Sequence, residues 1–591
     1  MNTLKLRLEN LRNTMRNQDI DACIIPGTDP HAGEYIADHW KEREWISGFD
    51  GSAGTVALTI EKAGVWVDSR YYLQADEQLE HTDFKAMKMG LPQVPDIIPW
   101  LIQELQPGQT VGVNALMFSV NAFQTMQTSL QRHGIQLVSI DLIQSIWTDR
   151  PAIPKEKLLV YDVHLAGQSA TEKIQALRKN MQHADVFLTN TLDEIAWLFN
   201  IRGKDVDYNP VAIAYALINQ KEAVLYVDAA KLDAEIIDYL RKEGISTKEY
   251  LQIYEDLKLL PDTSQVMFDG AKLNQSLFET LPKNCNFINQ ASPISFMKSI
   301  KNTTEIKGIR QAMLKDGVAL TRFFRWLEDN VADGKLTELS ITDQLHAFRA
   351  EQEDFKGESF ATIAGYAAHG AIVHYKADEK SNIPILPKGI LLLDSGAQFL
   401  HGTTDITRTI TLATPTLQEK QDYTLVLKGH IGIATAKFPT GTRGSQLDIL
   451  ARKAMWDMGL NYGHGTGHGV GHYLNVHEGP QNIRMDENPV SLQPGMLISN
   501  EPGLYRTDAY GIRIENLIHV VKDSVTEFGE FLKFETLTLF PIDTQLIEIS
   551  MLTADELSWF NAYHQEVYDK LAPLLNEEER AWLQEKTKAI A

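Results

Sequence analysis

The stretch I-L-L-L-D-S-G-A-Q-F-L-H-G-T-T-D-I-T-R-T-I-T, Ile390 to Thr411, decides how the second half of this 591-residue chain is read. Four apolar residues, Ile390 to Leu393, run straight into Asp394, and Asp405 precedes a Thr/Ile alternation. The runs Gly389 to Leu393 and Arg408 to Leu412 read as strands. A carboxylate drawn towards a core by its neighbours requires compensating charge. Working outward, three more ionisable groups stand in unusual contexts: His468 in the glycine-rich Y-G-H-G-T-G-H-G-V-G-H (Tyr462 to His472), Glu501 in N-E-P-G, and Glu515 in the strand-like R-I-E-N. Four carboxylates and one imidazole make a ligand set for two divalent cations. Oxygen-dominated ligation suits a hard or borderline metal such as Mn²⁺, with Zn²⁺ or Co²⁺ as alternatives, and argues against a structural zinc site built from Cys and His. Converging carboxylates repel, so a pair of dications is the compensating charge, leaving a bridging hydroxide as the reactive excess.

Composition bounds the rest. A chain of this length divides into about three or four domains. With 43% hydrophobic and 23% charged residues it has the make-up of a globular protein, so no disordered or fibrous reading is needed. The formal net charge of −22 disfavours nucleic acid and anionic membrane as partners, because phosphate affinity rests on clustered Lys and Arg. The opening M-N-T-L-K-L-R-L-E-N-L-R alternates charge with Leu and reads as a helix, not a signal peptide. No apolar stretch is long enough to span a bilayer. Cys23 and Cys285, the only cysteines, are too few for a disulfide framework and fit a reducing compartment, so a cytoplasmic enzyme is expected.

The first half carries a faint repeat. I-D-A-C-I-I-P-G-T-D-P (Ile20 to Pro30) leads to V-W-V-D-S-R-Y-Y (Val65 to Tyr72), and A-D-V-F-L-T-N-T-L-D-E-I-A-W-L-F-N-I-R-G (Ala184 to Gly203) leads to A-V-L-Y-V-D-A-A-K-L (Ala223 to Leu232). Each runs from a strand through a loop to a strand ending in V-D. Short β-rich runs alternating with helical patterns such as Asp233 to Lys242 predict two α/β domains of similar plan. Pro151 and Pro154 mark a first boundary, since X-Pro steps favour extended backbone. A second lies near Ser292 to Ile306, where Asn302 with Glu305 resembles a capping box opening a helix with apolar positions at Ile306, Ile309, Met313 and Val318. After Pro541 the pattern turns helical, with Trp559, Tyr563, Val567, Tyr568, Leu571 and Leu575 spaced as an apolar face that reads as core packing. The expected domains are residues 1–152, 153–300 and 301–541, with an extension of the last over 542–591.

Several motifs mislead. The Gly/His alternation of Tyr462 to His472 does not open a helix after a strand, and no G-x-x-x-x-G-K-[ST] occurs, so nucleotide binding is not supported. Its glycines instead let backbone approach a crowded centre. His477-Glu478 lacks the second His of H-E-x-x-H, and the serine of D-G-S-A-G (Asp50 to Gly54) misses the G-x-S-x-G spacing.

At these residues the chain resembles the pita-bread metallopeptidase family and, within it, the three-domain Xaa-Pro aminopeptidases of the cytosolic type. The likeness runs over essentially the whole length and includes G-A-I-V-H-Y (Gly370 to Tyr375), the Asp394–Asp405 stretch, the glycine-rich segment continued to V-H-E-G-P, S-N-E-P-G-L-Y, G-I-R-I-E-N and L-T-L-F-P-I-D-T (Leu537 to Thr544). It implies an α/β (α+β) architecture: two similar creatinase-like N-terminal domains, then a pita-bread catalytic domain with a helical C-terminal extension. It also implies that Asp394 binds one metal, that His468 and Glu501 bind the other, and that Asp405 and Glu515 bridge them. His374 and His477 match histidines that contact substrate and stabilise the tetrahedral intermediate, and His464 one near the residue after the cleaved bond. Arg70 in V-D-S-R-Y matches an arginine that reaches substrate. Phe360, Val476 and Tyr505 are expected to wall a proline subsite, Arg513 to orient Glu515, and His472 has no assigned role.

The activity so implied is release of the first residue from Xaa-Pro-Yaa peptides, by attack of a hydroxide held between the metals, with Glu501 as proton acceptor and donor. The bond before proline has no N–H, so such a site needs a proline-shaped pocket. A prolidase-like dipeptidase is the nearest alternative, and a non-catalytic pita-bread binding module a more distant one that predicts lost ligands. A homodimer is expected from the resemblance.

Overall fold

The computed structural model describes residues 3–591. The chain forms two compact units, one ending at Ser295 and the other running from Phe296 to Ala591.

The first unit contains two six-stranded mixed sheets. One is ordered Lys85–Lys88, Ala63–Val67, Thr55–Thr59, Ala22–Pro26, Thr110–Val113, Gln136–Ser139; the other Ile245–Lys248, Ala223–Tyr226, Tyr215–Asn219, Val186–Thr189, Gln265–Phe268, Asn286–Asn289. Strand order and the sequence of parallel and antiparallel pairings agree position by position. The recurrent V-D has a local cause. Asp68 and Asp228 each leave a buried strand and accept a backbone N–H two residues on, from Arg70 and Ala230, capping a short 3₁₀ turn that reverses the chain.

The second unit opens with the helix Thr303–Asn330, capped by Asn302 and Glu305 as the sequence predicts, with Ile309, Met313 and Val318 buried. Against it and the helix Glu338–Ala350 lies an antiparallel sheet of Ile363–Tyr366, Ile390–Ser395 and Ile406–Thr411. The strand from Ile390 runs two residues beyond the expected end. Asp394 therefore stands inside the sheet, opposite Ile363 on one side and Thr407 on the other, because both neighbours continue to pair there. A further sheet is ordered Lys437–Pro439, Gly529–Thr536, Asn516–Thr526, Leu497–Asn500, Gly467–Gly469, Glu478–Ile483, with the hairpin Gly503–Arg506/Tyr510–Arg513 beside it in sequence.

In the tail, the helix Ala554–Leu571 buries Phe560, Tyr563, Val567 and Leu571 in one core with the helix Leu417–Ala434 and the hairpin; of the expected apolar stripe Tyr563, Val567, Leu571 and Leu575 are buried and Trp559 and Tyr568 partly so. Arg408 welds the tail to the sheets. Its buried guanidinium donates to the carbonyls of Pro541 (2.8 Å), Thr407 (2.9 Å), Glu515 (2.6 Å) and Phe540 (2.7 Å), to Asn516 Oδ1 (2.8 Å) and to Tyr563 Oη (3.0 Å). No helix among the described residues is long and apolar enough to cross a membrane.

Candidate metal centre

Strand register brings the carboxylates together. Asp405 immediately precedes the strand Ile406–Thr411, next to the strand that holds Asp394. Asn500 and Asn516 are cross-strand partners, so the antiparallel register sets the preceding Glu515 near the following Glu501. His468 lies on the next strand along, where its backbone N–H donates to Ser499 Oγ at 3.0 Å. Gly467 allows this approach: a Cβ there would stand 1.9 Å from the carbonyl oxygen of Ser499.

Asp405, His468 and Glu515 bring ligand atoms within 4.8 Å of one another. His468 Nε2 lies 3.4 Å from Asp405 Oδ2 and 3.6 Å from Glu501 Oε1. Burial first, and then the neighbouring carboxylates, push Glu515 well above the ordinary carboxylate range; burial also raises Glu501, opposed by His468 and Arg513 and reinforced by Asp405 and Asp394. Asp394 is raised by burial, opposed by Arg513 and reinforced by Asp405. Burial works against charge on His468, yet Asp405 and Glu501 outweigh it and push it up to about 9. Such mutual strain is what cations relieve. Asp394 Oδ1 is buried without a hydrogen-bond partner, an acceptor left open for a cation. The donor set therefore fits divalent metal.

Around the cluster, Arg513 does not orient Glu515 as expected. Its Nη2 binds Asp394 Oδ2 at 2.6 Å, while Nη1 reaches Tyr505 Oη at 2.6 Å and Nε reaches Thr407 Oγ1 at 3.1 Å. Arg513 ends its hairpin strand and Glu515 lies in the two-residue break before Asn516–Thr526, and the long guanidinium reaches Asp394 rather than its neighbour in sequence. Glu515 is held by Thr407 Oγ1 at 2.8 Å instead. Thr407 carries no motif of its own, but its place two residues after Asp405 puts it on the same face, a signal present in the alternation and left unused.

His464 accepts at Nε2 from Tyr505 Oη (2.8 Å) and donates at Nδ1 to the carbonyl of Gly465 (2.7 Å). The His477 ring meets His468 edge-on, with centroids 4.4 Å apart. His374 follows Val373, whose carbonyl accepts from Arg513 Nη2 at 3.3 Å. Tyr505 packs with Ile363, Tyr375 and Leu392; Phe360 lies over Gly396, and Val476 is fully buried. Glu478, buried beside His477, is gripped by two buried lysines, Lys298 (2.8 Å) and Lys301. His472 is buried against Gly308. Arg70 belongs to the first unit, where Asp68 takes its Nε at 2.9 Å and its Nη2 at 2.8 Å.

The chain is similar to known proteins along nearly its whole length. Residues 7–146 and 149–305 each match the creatinase/prolidase N-terminal domain, residues 307–522 match metallopeptidase family M24, and residues 530–590 match the C-terminal region of peptidase M24. Aminopeptidase P2 of Arabidopsis thaliana is 41% identical, over 97% of this chain and 86% of that protein. A probable Xaa-Pro aminopeptidase P of Laccaria bicolor is 42% identical, over 98% and 92%. The crystal structure of the X-prolyl aminopeptidase from Caenorhabditis elegans, described as a cytosolic enzyme with a di-nuclear active site, superposes with a TM-score of 0.96 at 35% identity over the full length of both chains.

Fold and site together define a metallopeptidase of the M24 class with paired creatinase-type N-terminal domains. Within that class, the chain belongs to the Xaa-Pro aminopeptidase family.

Proposed function

We propose that this enzyme removes the first residue from peptides with proline in second position, using two divalent cations held by Asp394, Asp405, His468, Glu501 and Glu515. The observation that carries the reading is the convergence of buried, mutually repelling carboxylates on one imidazole, in a chain of this family. The oxygen-rich donors favour Mn²⁺ over Zn²⁺ or Co²⁺. Bound there, such cations supply Lewis acidity, polarising a carbonyl and making water acidic enough to attack it.

The protein's own groups do the rest. Glu501 accepts the proton of the attacking water and passes it to the departing proline nitrogen, the acid–base role open to a carboxylate placed beside His468 in the cluster. His477 and His374 donate hydrogen bonds to the developing oxyanion. His464, held as the Nδ1–H tautomer by Gly465 and Tyr505, faces the residue after the cleaved bond. Phe360, Val476 and Tyr505 wall the proline ring. The enzyme works as a homodimer in the cytoplasm; both cysteines are free and buried, as a reducing compartment permits. A monomer mass by light scattering would overturn the dimer.

The test is one assay of metal-stripped protein, with and without Mn²⁺, on Xaa-Pro-Yaa, the dipeptide Xaa-Pro and Xaa-Ala-Yaa. Mn²⁺-dependent release of Xaa from the first alone is expected. Preference for the dipeptide would make it a prolidase-like enzyme. Asp405→Ala and Glu515→Ala each abolish the turnover, and near-normal activity in either sinks the ligand assignment.

A further inference from the structure

The fully buried carboxylate of Glu338 is spent on a single loop. Glu338 opens the helix Glu338–Ala350, where the helix dipole favours a negative charge, and neither of its oxygens faces the metal cluster's ligands by any hydrogen bond. It accepts instead from the backbone N–H of Tyr366 (3.0 Å), from His369 Nδ1 (3.0 Å to each oxygen), from Tyr375 Oη (2.8 Å) and from the N–H of Ile383 (3.4 Å). Tyr366 and Ile383 are the two ends of the loop, and Tyr375 lies at its middle. The rings of His369 and Tyr375 pack at a tilt with centroids 4.4 Å apart, closing the bracket.

His374 sits between two pinned neighbours. On one side Val373 gives its carbonyl to Arg513, the same guanidinium that holds Asp394; on the other, Tyr375 is tied to Glu338. The loop is also backed by the hairpin: a Cβ on Gly511 would stand 1.7 Å from the carbonyl oxygen of Gly370, so only glycine permits the approach. A loop that crosses more than a dozen residues without strand or long helix would otherwise hold its histidine loosely.

We propose that Glu338 is a positioning residue for His374: by fastening Tyr375 and both ends of the loop, it sets the imidazole where the reaction needs it. This rests on the reading of His374 as a group that contacts substrate. Glu338 touches no substrate itself, so its removal should act on turnover through His374.

The experiment is a double-mutant cycle on the Mn²⁺-loaded full chain, measuring kcat and KM for an Xaa-Pro-Yaa peptide, with metal content measured alongside. Glu338→Gln keeps the volume but accepts through one oxygen only, and should lower kcat about 10- to 100-fold with KM within about twofold. Tyr375→Phe deletes one hydroxyl, is tolerated by the fold even if Glu338→Gln is not, and should lower kcat about 3- to 10-fold. On a His374→Ala background each substitution should cost no more than about twofold, because the group it positions is gone. Losses that multiply undiminished on that background, or an unchanged kcat in both single variants, overturn the proposal. Normal kcat in His374→Ala overturns the underlying reading of His374, and the positioning role with it; metal loss in Glu338→Gln and Tyr375→Phe alike would make the carboxylate a support of the metal centre instead.

Discussion

Thr407 shows how much a neutral side chain can decide in a charged centre. Its hydroxyl donates to Glu515 and accepts from Arg513, so it sits between a buried carboxylate of the cluster and the guanidinium that neutralises Asp394. Thr407→Val keeps the shape and removes both bonds. Partners behind metal ligands are worth about 10- to 100-fold in affinity, so calorimetric titration of stripped Thr407→Val with Mn²⁺ should show a weakening of that order. An unchanged affinity would mean that Glu515 is held by its backbone alone, through the N–H it donates to the carbonyl of Thr407 (3.1 Å).

Elements position the ligands through close backbone approach. The short strand Gly467–Gly469 fits between Leu497–Asn500 and Glu478–Ile483 because its glycines present no side chain to either neighbour. Gly467→Ala would force a Cβ onto a carbonyl that cannot move without breaking the sheet. The expected cost is about 2 kcal/mol or more, read as a lowered urea midpoint, with metal affinity falling as well. At the same scale, the duplicated sheets of the first unit were legible because V-D ends a strand and caps a turn in both, a local chemistry that sequence records directly. The pairing of Asp394 with Thr407 was not, since register is decided by partners remote in sequence.

At the scale of the second unit, the tail is held by polar groups that only burial makes strong. Arg408 gathers carbonyls from three segments, and removing residues 542–591 would strip Tyr563 from it and expose the core face of Phe560, Val567 and Leu571. A chain ended at Pro541 should be insoluble or unfolded by circular dichroism; a soluble, Mn²⁺-active truncation would contradict this. Acid should loosen the same region. His564 accepts from the N–H of Ile542 at 3.1 Å, and His430 is enclosed by Asn500, Ile514 and Asn516. Burial and the Arg408 charge push both down to about 3 from an ordinary 6.5. The unfolded chain thus binds protons that the folded one refuses. The stability these groups contribute is complete above pH 6.5 and is lost as pH falls towards 3, at about 1.4 kcal/mol per pH unit for each histidine. Urea titrations between pH 7 and 5 should show the decline, and His564→Gln should flatten it.

The sequence by itself determined the candidate ligand types, their order, the apolar runs that carry them and the faint doubling of the first half, because each is written in residues near one another: an apolar run leading into Asp394, glycines around His468, a capping Asn302. Only the tertiary structure decided which groups meet. Arg513 serves Asp394 and not Glu515, Glu338 brackets the His374 loop from a helix start, Lys298 and Lys301 grip Glu478, and Arg408 binds the tail. The physical reason is that a buried charge takes its partner from whatever the packing brings within about 3 Å, and that distance has no counterpart along the chain.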